Sequence, residues 1–222
     1  MGFPNRYLRR MKAPAQPPKD CPLCPRLAAF RAENARKFPD YWNAPVPSFG
    51  PLDAPILIAG LAPGLHGANA TGRPFTGDWA GDLLYGTLKK FGLAKGEYGE
   101  RADDGFTLVH IRIANAVRCV PPQNKPESSE INTCRRFLIS ELETLPAVTV
   151  ILALGKIAHD STLKTLGARI AAHPFKHGGV YEIGRFKLIS SYHCSRYNTN
   201  TGVLTTPMFE QVVADAKKLA GL

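Results

Sequence analysis

The sequence predicts an α/β fold, a mostly parallel sheet covered by helices on both faces. Two observations predict it. Short apolar runs that read as buried strands, Ile56–Ala59 and Val148–Leu154, alternate with stretches of helical periodicity. The segments that follow the strands, 60–78, 114–124 and 193–206, are unusually rich in Gly, Asn, His, Pro and Ser. In open parallel sheets a ligand sits beyond the carboxyl ends of the strands, so a site is expected where these three segments meet.

Each element follows from local pattern. Residues 1–19 are basic and proline-rich with no apolar core of a secretory signal, and are expected to form a flexible, solvated N-terminal arm. Residues 20–222 are expected to form one domain. PRLAAFRAENARK, residues 25–37, reads as a helix, and the proline-rich stretch 38–53 as loop. Trp79, Leu83, Leu84, Leu88 and Phe91 fall at helical spacing. FTLVHIRI, Phe106–Ile113, alternates like a strand. A helix over Ile131–Leu145 is expected to be capped by Ser128 or Ser129. Lys156–Leu166 reads as a helix and Arg185–Tyr192 as a strand. Pro207–Leu219 reads as a final helix with proline in its first turn.

Composition narrows the function. Lys and Arg number 28 against 18 Asp and Glu, a net charge of +10 that favours polyanions, chiefly nucleic acid. No apolar run approaches the roughly 18 residues a membrane span needs. Five cysteines without an export signal point to a reducing compartment, so the cytoplasm is the expected location.

The first post-strand segment, GLAPGLHGANATGRPFTGDWAG, runs from Gly60 to Gly81. It matches neither G-x-x-x-x-G-K-[ST] nor G-x-G-x-x-G, which argues against a nucleoside triphosphate or a dinucleotide. Its glycines let backbone approach a ligand closely. Asp78 stands just before the helical pattern, where a carboxylate either caps a helix or acts on a water or a developing cation. In SYHCSRYNTNTG, His193 follows the last parallel strand, where a neutral imidazole can donate to developing negative charge. In IANAVRCVPPQN, Asn115 offers a donor and an acceptor able to read the edge of a nucleobase, or else serves as a turn residue. Cys21 and Cys24 form C-x-x-C, and Cys119 and Cys134 form a wider pair. Four thiolates suit Zn²⁺ or an iron–sulfur cluster, and spacing alone leaves the metal open. Cys194 stands apart from these four.

Taken together, GLAPGLHGANATGRPFTGD, NAVRCVPP, the four-cysteine pattern and YHCSRYNTNTG resemble the uracil-DNA glycosylase superfamily over roughly residues 20–215, most closely its family 5, the iron–sulfur type. The resemblance implies a three-layer α/β/α sandwich around a four-stranded parallel sheet. It implies a structural [4Fe-4S] cluster on Cys21, Cys24, Cys119 and Cys134. Phe75 would stack on an extruded base, with backbone around Leu61 and Ala62 against it, and Asn115 would read the base. Asp78 and His193 would be the catalytic pair, with His193 also contacting the base. Ser195, Arg196 and Tyr197 would face the DNA, Arg196 or Tyr197 filling the gap left in the stack. One departure is that the superfamily's usual His-Pro-Ser reads His193-Cys194-Ser195 here. The implied activity is hydrolysis of the N-glycosidic bond of uracil in DNA, extending to hypoxanthine or xanthine, by a monomer acting on DNA that carries deaminated bases in the bacterial nucleoid. The alternative reading is a non-catalytic nucleic-acid-binding protein with a four-cysteine zinc site.

Overall fold

A computed structural model describes residues 13–222. Helix α1, Pro25–Lys37, leads through irregular chain to strand β1, Ile56–Gly60. A short helix α2, Ala68–Thr71, interrupts the glycine-rich loop before α3, Trp79–Lys90. Strands β2, Ala94–Lys95, and β3, Thr107–Leu108, form a small antiparallel ribbon. Then come β4 (Ile111–Asn115), α4 (Ser128–Thr144), β5 (Val150–Leu154) and α5 (Lys156–Thr165). The chain ends with β6 (Val180–Ile183), β7 (Phe186–Ser191), α6 (Arg196–Asn200) and α7 (Thr206–Leu219).

The main sheet has five strands in the order β4-β1-β5-β7-β6. The first four are mutually parallel, as expected, and β6 pairs antiparallel with β7 at the edge. The fifth strand escaped the sequence reading because VYEI is half exposed and flanked by glycines, so it lacks the apolar run of a buried strand. The inner strands β1, β4 and β5 are buried along their whole length, which is what helices on both faces require.

Side-chain alternation divides the core in two. Ile56, Ile58, Ile113, Val150 and Leu152 point to one face, against Leu84 and Leu88 of α3 and Phe209, Val212 and Val213 of α7. Leu57, Ala59, Ile151 and Ala153 point to the other, against Leu138 and Leu142 of α4 and Ala158 and Leu163 of α5. Each fully buried large aliphatic side chain contributes about 1.5–3 kcal/mol, so these layers hold the strand ends in place.

Three boundaries differ from expectation. The strand expected over Phe106–Ile113 is broken, because His110 takes a left-handed φ of 63° between β3 and β4. Helix α4 begins earlier, and its cap is Glu127 rather than Ser128 or Ser129. The Glu127 side chain accepts from the backbone of Glu130, whose own side chain accepts in return from the Glu127 N–H. Within the expected arm, residues 1–12 lie outside the described residues. Ala15 donates to Ser140 Oγ and Gln16 to Glu141 Oε1, both at 2.8 Å, so this stretch is tied to α4.

Candidate active site

The three post-strand segments converge as expected. Leu61, Ala62, Gly64 and Asp78 follow β1, Asn115 and Asn124 close and follow β4, and His193, Ser195 and Arg196 follow β7. They enclose an inner pocket of about 40 Å³ that meets an outer basin of about 530 Å³. Asp78, His193, Ala62, Gly64 and Ala80 line both.

The inner pocket is a slot between an aromatic face and an amide. Phe75 and His193 have ring centroids 6.0 Å apart at 30°. Asn115, the last residue of β4, lies beside Gly60 at the end of β1. A Cβ on Gly60 would collide with Asn115 Oδ1 and lie 2.8 Å from the Phe75 ring, so only glycine lets both side chains enter the slot. Asn115 is buried, and its Oδ1 has no hydrogen-bond partner among the described residues. A buried acceptor without a partner costs roughly 1–3 kcal/mol, which makes it a place for a donor brought by a ligand.

Asp78 caps a helix and also faces the pocket. Its Oδ1 accepts from the N–H of Gly81 at 3.1 Å and caps α3, while the carboxylate lines the pocket. A Cβ at Gly67 would come within 2.5 Å of Oδ2, so that glycine makes room for it. Burial pushes the Asp78 carboxyl above its ordinary value, partly offset by backbone N–H groups. Burial pushes the His193 imidazole below its ordinary value, so it is neutral near pH 7. The His193 ring nitrogens are unpaired among the described residues, whereas its carbonyl accepts from Asn198 Nδ2 at 2.8 Å. That bond, with Ser195 capping α6, braces the turn where proline is replaced by Cys194. Cys194 is fully buried, and its thiol points at the Ala80 carbonyl.

At the mouth, Arg196 and Tyr197 separate. The Arg196 guanidinium lies 5.3 Å from the centre of the Trp79 ring, and Trp79 Nε1 donates to Thr199 Oγ1 at 2.9 Å. Tyr197 is 74% exposed beside the basin. Trp79, Ala80, Gly64 and Asn124 were missed by sequence reasoning. Trp79 and Ala80 directly follow Asp78, which was the available signal. Asn124 carried none: it reaches the basin because Gln123 and Asn124 both take left-handed φ, 55° and 57°.

The four cysteines meet at one side. Cys21, Cys24, Cys119 and Cys134 line one cavity, roofed by Leu27, Val117 and Phe137. All are free thiols. Burial pushes Cys134 up to about 12 and raises Cys119 and Cys24. Two donors nevertheless aim at sulfur: Arg31 Nη1 at Cys119 Sγ (2.8 Å) and the Arg118 N–H at Cys134 Sγ (3.4 Å). Arg31 is buried, and its other bond is to the Cys21 carbonyl. No carboxylate pairs with it among the described residues. Arg31 sits two helical turns after Cys24, on the same face of the chain, a spacing visible in the sequence once the cysteines are grouped.

A parallel sheet with a slot between Phe75 and Asn115, a buried carboxylate and a neutral imidazole define an α/β protein whose ligand pocket lies beyond the carboxyl ends of its strands. The family description "Uracil DNA glycosylase superfamily" matches residues 47–217, and the chain belongs to that superfamily. Within it the chain stands with the type-5 members. It is 48% identical over 208 residues to the type-5 uracil-DNA glycosylase of Thermus thermophilus, covering 91% of this chain and 94% of that one. The type-5 uracil-DNA glycosylase of Pyrobaculum aerophilum is 40% identical, covering 91% and 90%. The type-4 enzyme of Archaeoglobus fulgidus is 31% identical over 183 residues, covering 80% and 81%.

Proposed function

We infer that this chain is a DNA-repair hydrolase that removes uracil from DNA by cleaving its N-glycosidic bond. The observation that carries this reading is the orphaned Asn115 Oδ1 facing a slot roofed by Phe75. Uracil presents an N–H beside a carbonyl on one edge. Oδ1 accepts from the N–H, and the amide nitrogen can donate to the carbonyl. Hypoxanthine and xanthine present the same pair, and the outer basin supports their inclusion in the substrate range.

The base reaches the slot only when its nucleotide is swung out of the helix, at a cost of a few kcal/mol. Tyr197 fits the gap left behind better than Arg196, which is engaged with Trp79. As the C1′–N1 bond breaks, positive charge grows on the sugar and negative charge on the base. Asp78 offsets the first and orients the water that adds to C1′. His193, neutral, donates a hydrogen bond to the base oxygen that takes up the second.

The cysteine cavity fits a [4Fe-4S] cluster. One buried arginine without a carboxylate needs a negative neighbour, and four thiolates around a cluster provide one. When bound, the cluster ties the start of α1 to the end of β4 and to α4, a structural role. The protein acts as a monomer at the chromosome, through its basic surface.

The reading is tested with oligonucleotides carrying uracil, hypoxanthine or no lesion, followed by alkaline cleavage of abasic sites. Strand breaks at uracil support it. Binding to all three without breaks would establish the non-catalytic alternative.

A further inference from the structure

We propose that Tyr98 is a positioning residue that locks Phe75, the ring proposed to stack on the base, in a strained backbone conformation. The inference rests on that stacking role and extends it to a side chain outside the pocket.

Phe75 has a φ of 51°, in the left-handed region that bulky residues avoid. Such a conformation persists only when its surroundings over-determine it. Here they do so residue by residue. The Tyr85 hydroxyl donates to the Pro74 carbonyl. The Tyr98 hydroxyl donates to the Phe75 carbonyl at 3.3 Å and accepts from the Gly77 N–H at 3.2 Å. One phenol thus spans the turn that carries the ring. Burial pushes that phenol up to about 12, so it keeps the proton it donates. Gly81 of α3 completes the fit, because any Cβ there would overlap the Phe75 carbonyl and reach 2.6 Å from the Tyr98 oxygen.

Tyr98 is itself held from behind. It lies on the segment joining β2 to β3, and so does Asp104. Asp104 takes Arg73 in a two-point ion pair, both bonds 2.7 Å, with both side chains buried. The Arg73 guanidinium lies 5.3–5.8 Å from the ring centres of Phe49, Tyr85, Tyr98 and Phe106, and its Nε donates to Thr76. Arg73 and Gly77, two residues to either side of Phe75, are therefore anchored to the same segment that presents Tyr98. The β2–β3 segment acts as a buttress for the stacking ring.

The test is a double-mutant cycle on single-turnover excision of uracil from an oligonucleotide, with melting temperature and affinity for abasic product DNA measured alongside. The variants are Tyr98→Phe, Phe75→Leu, which keeps apolar bulk but removes the aromatic face, and the pair together. Tyr98→Phe is expected to slow excision about tenfold, the worth of one to two hydrogen bonds. Product-DNA affinity stays unchanged, and the double variant is no slower than Phe75→Leu alone. If Tyr98→Phe excises at the parental rate, or if the two losses multiply, Tyr98 does not act through Phe75 and the proposal falls while the stacking role stands. If Phe75→Leu itself excises at the parental rate, the stacking role falls and takes the proposal with it.

Discussion

Replacing Asn115 by leucine should make the free protein more stable and nearly inactive. Leucine has the same branching and number of side-chain heavy atoms as asparagine, and the Asn115 side chain makes no hydrogen bond among the described residues, so none is lost. The substitution removes a buried acceptor that has no partner. Such a group costs roughly 1–3 kcal/mol, and the lower end applies here because a water can enter the adjoining pocket. A gain of ~1 kcal/mol raises the melting temperature of a chain this size by about 2–4 °C. The same change removes both the acceptor and the donor proposed to grip the base as it gains charge. Loss of one such preorganised group lowers the rate by about 10²–10³. Thermal unfolding without DNA and single-turnover excision of uracil read the two effects. A variant that melts several degrees lower yet excises within threefold of the parent would refute the reasoning, because Asn115 would then be an ordinary structural residue.

His193→Ala should slow excision by about 10²–10³ while circular dichroism and DNA affinity hold, measured on the same oligonucleotide. The pH profile should fall on the acid side only: the roles proposed for them need His193 neutral and Asp78 ionised, and both conditions fail as pH drops. Burial moves the two groups toward each other, His193 down and Asp78 up, so the rate should reach its plateau before the ordinary histidine range ends; a plateau reached only at alkaline pH would contradict this. Arg31→Gln should weaken retention of iron, read as iron per protein and visible absorbance during incubation with a chelator, with Arg31→Lys intermediate because it keeps the charge but not the two-point geometry.

The site was more legible in the sequence than the edges of the fold. Asp78, Asn115 and His193 stood out because each lies in a segment that follows an apolar strand whose burial fixes where its end must point. Asp78 looked ambiguous between cap and functional carboxylate because it is in position to be both. Edge strand β6 and the ribbon strand β2 gave no comparable signal, since half-exposed strands of two to four residues lack a distinctive period. The break at His110 and the turn at Gln123–Asn124 depend on left-handed residues other than glycine, which local sequence does not announce. Tyr98 was invisible for another reason: its partner, the Phe75 turn, is brought to it only by the tertiary fold, while Arg31 offered no more than its spacing from Cys24.

The ties between Ala15 and Ser140, and between Gln16 and Glu141, join positions 125 apart in the chain. A ribosome adding about 5–20 residues per second needs about 6–25 s to travel that distance. Through that interval the leading segment, with Cys21 and Cys24, has emerged without the helix that will receive it. The cluster proposed on the four cysteines can therefore form only after the middle of the protein is translated, and until then the first two thiols stay without their partners.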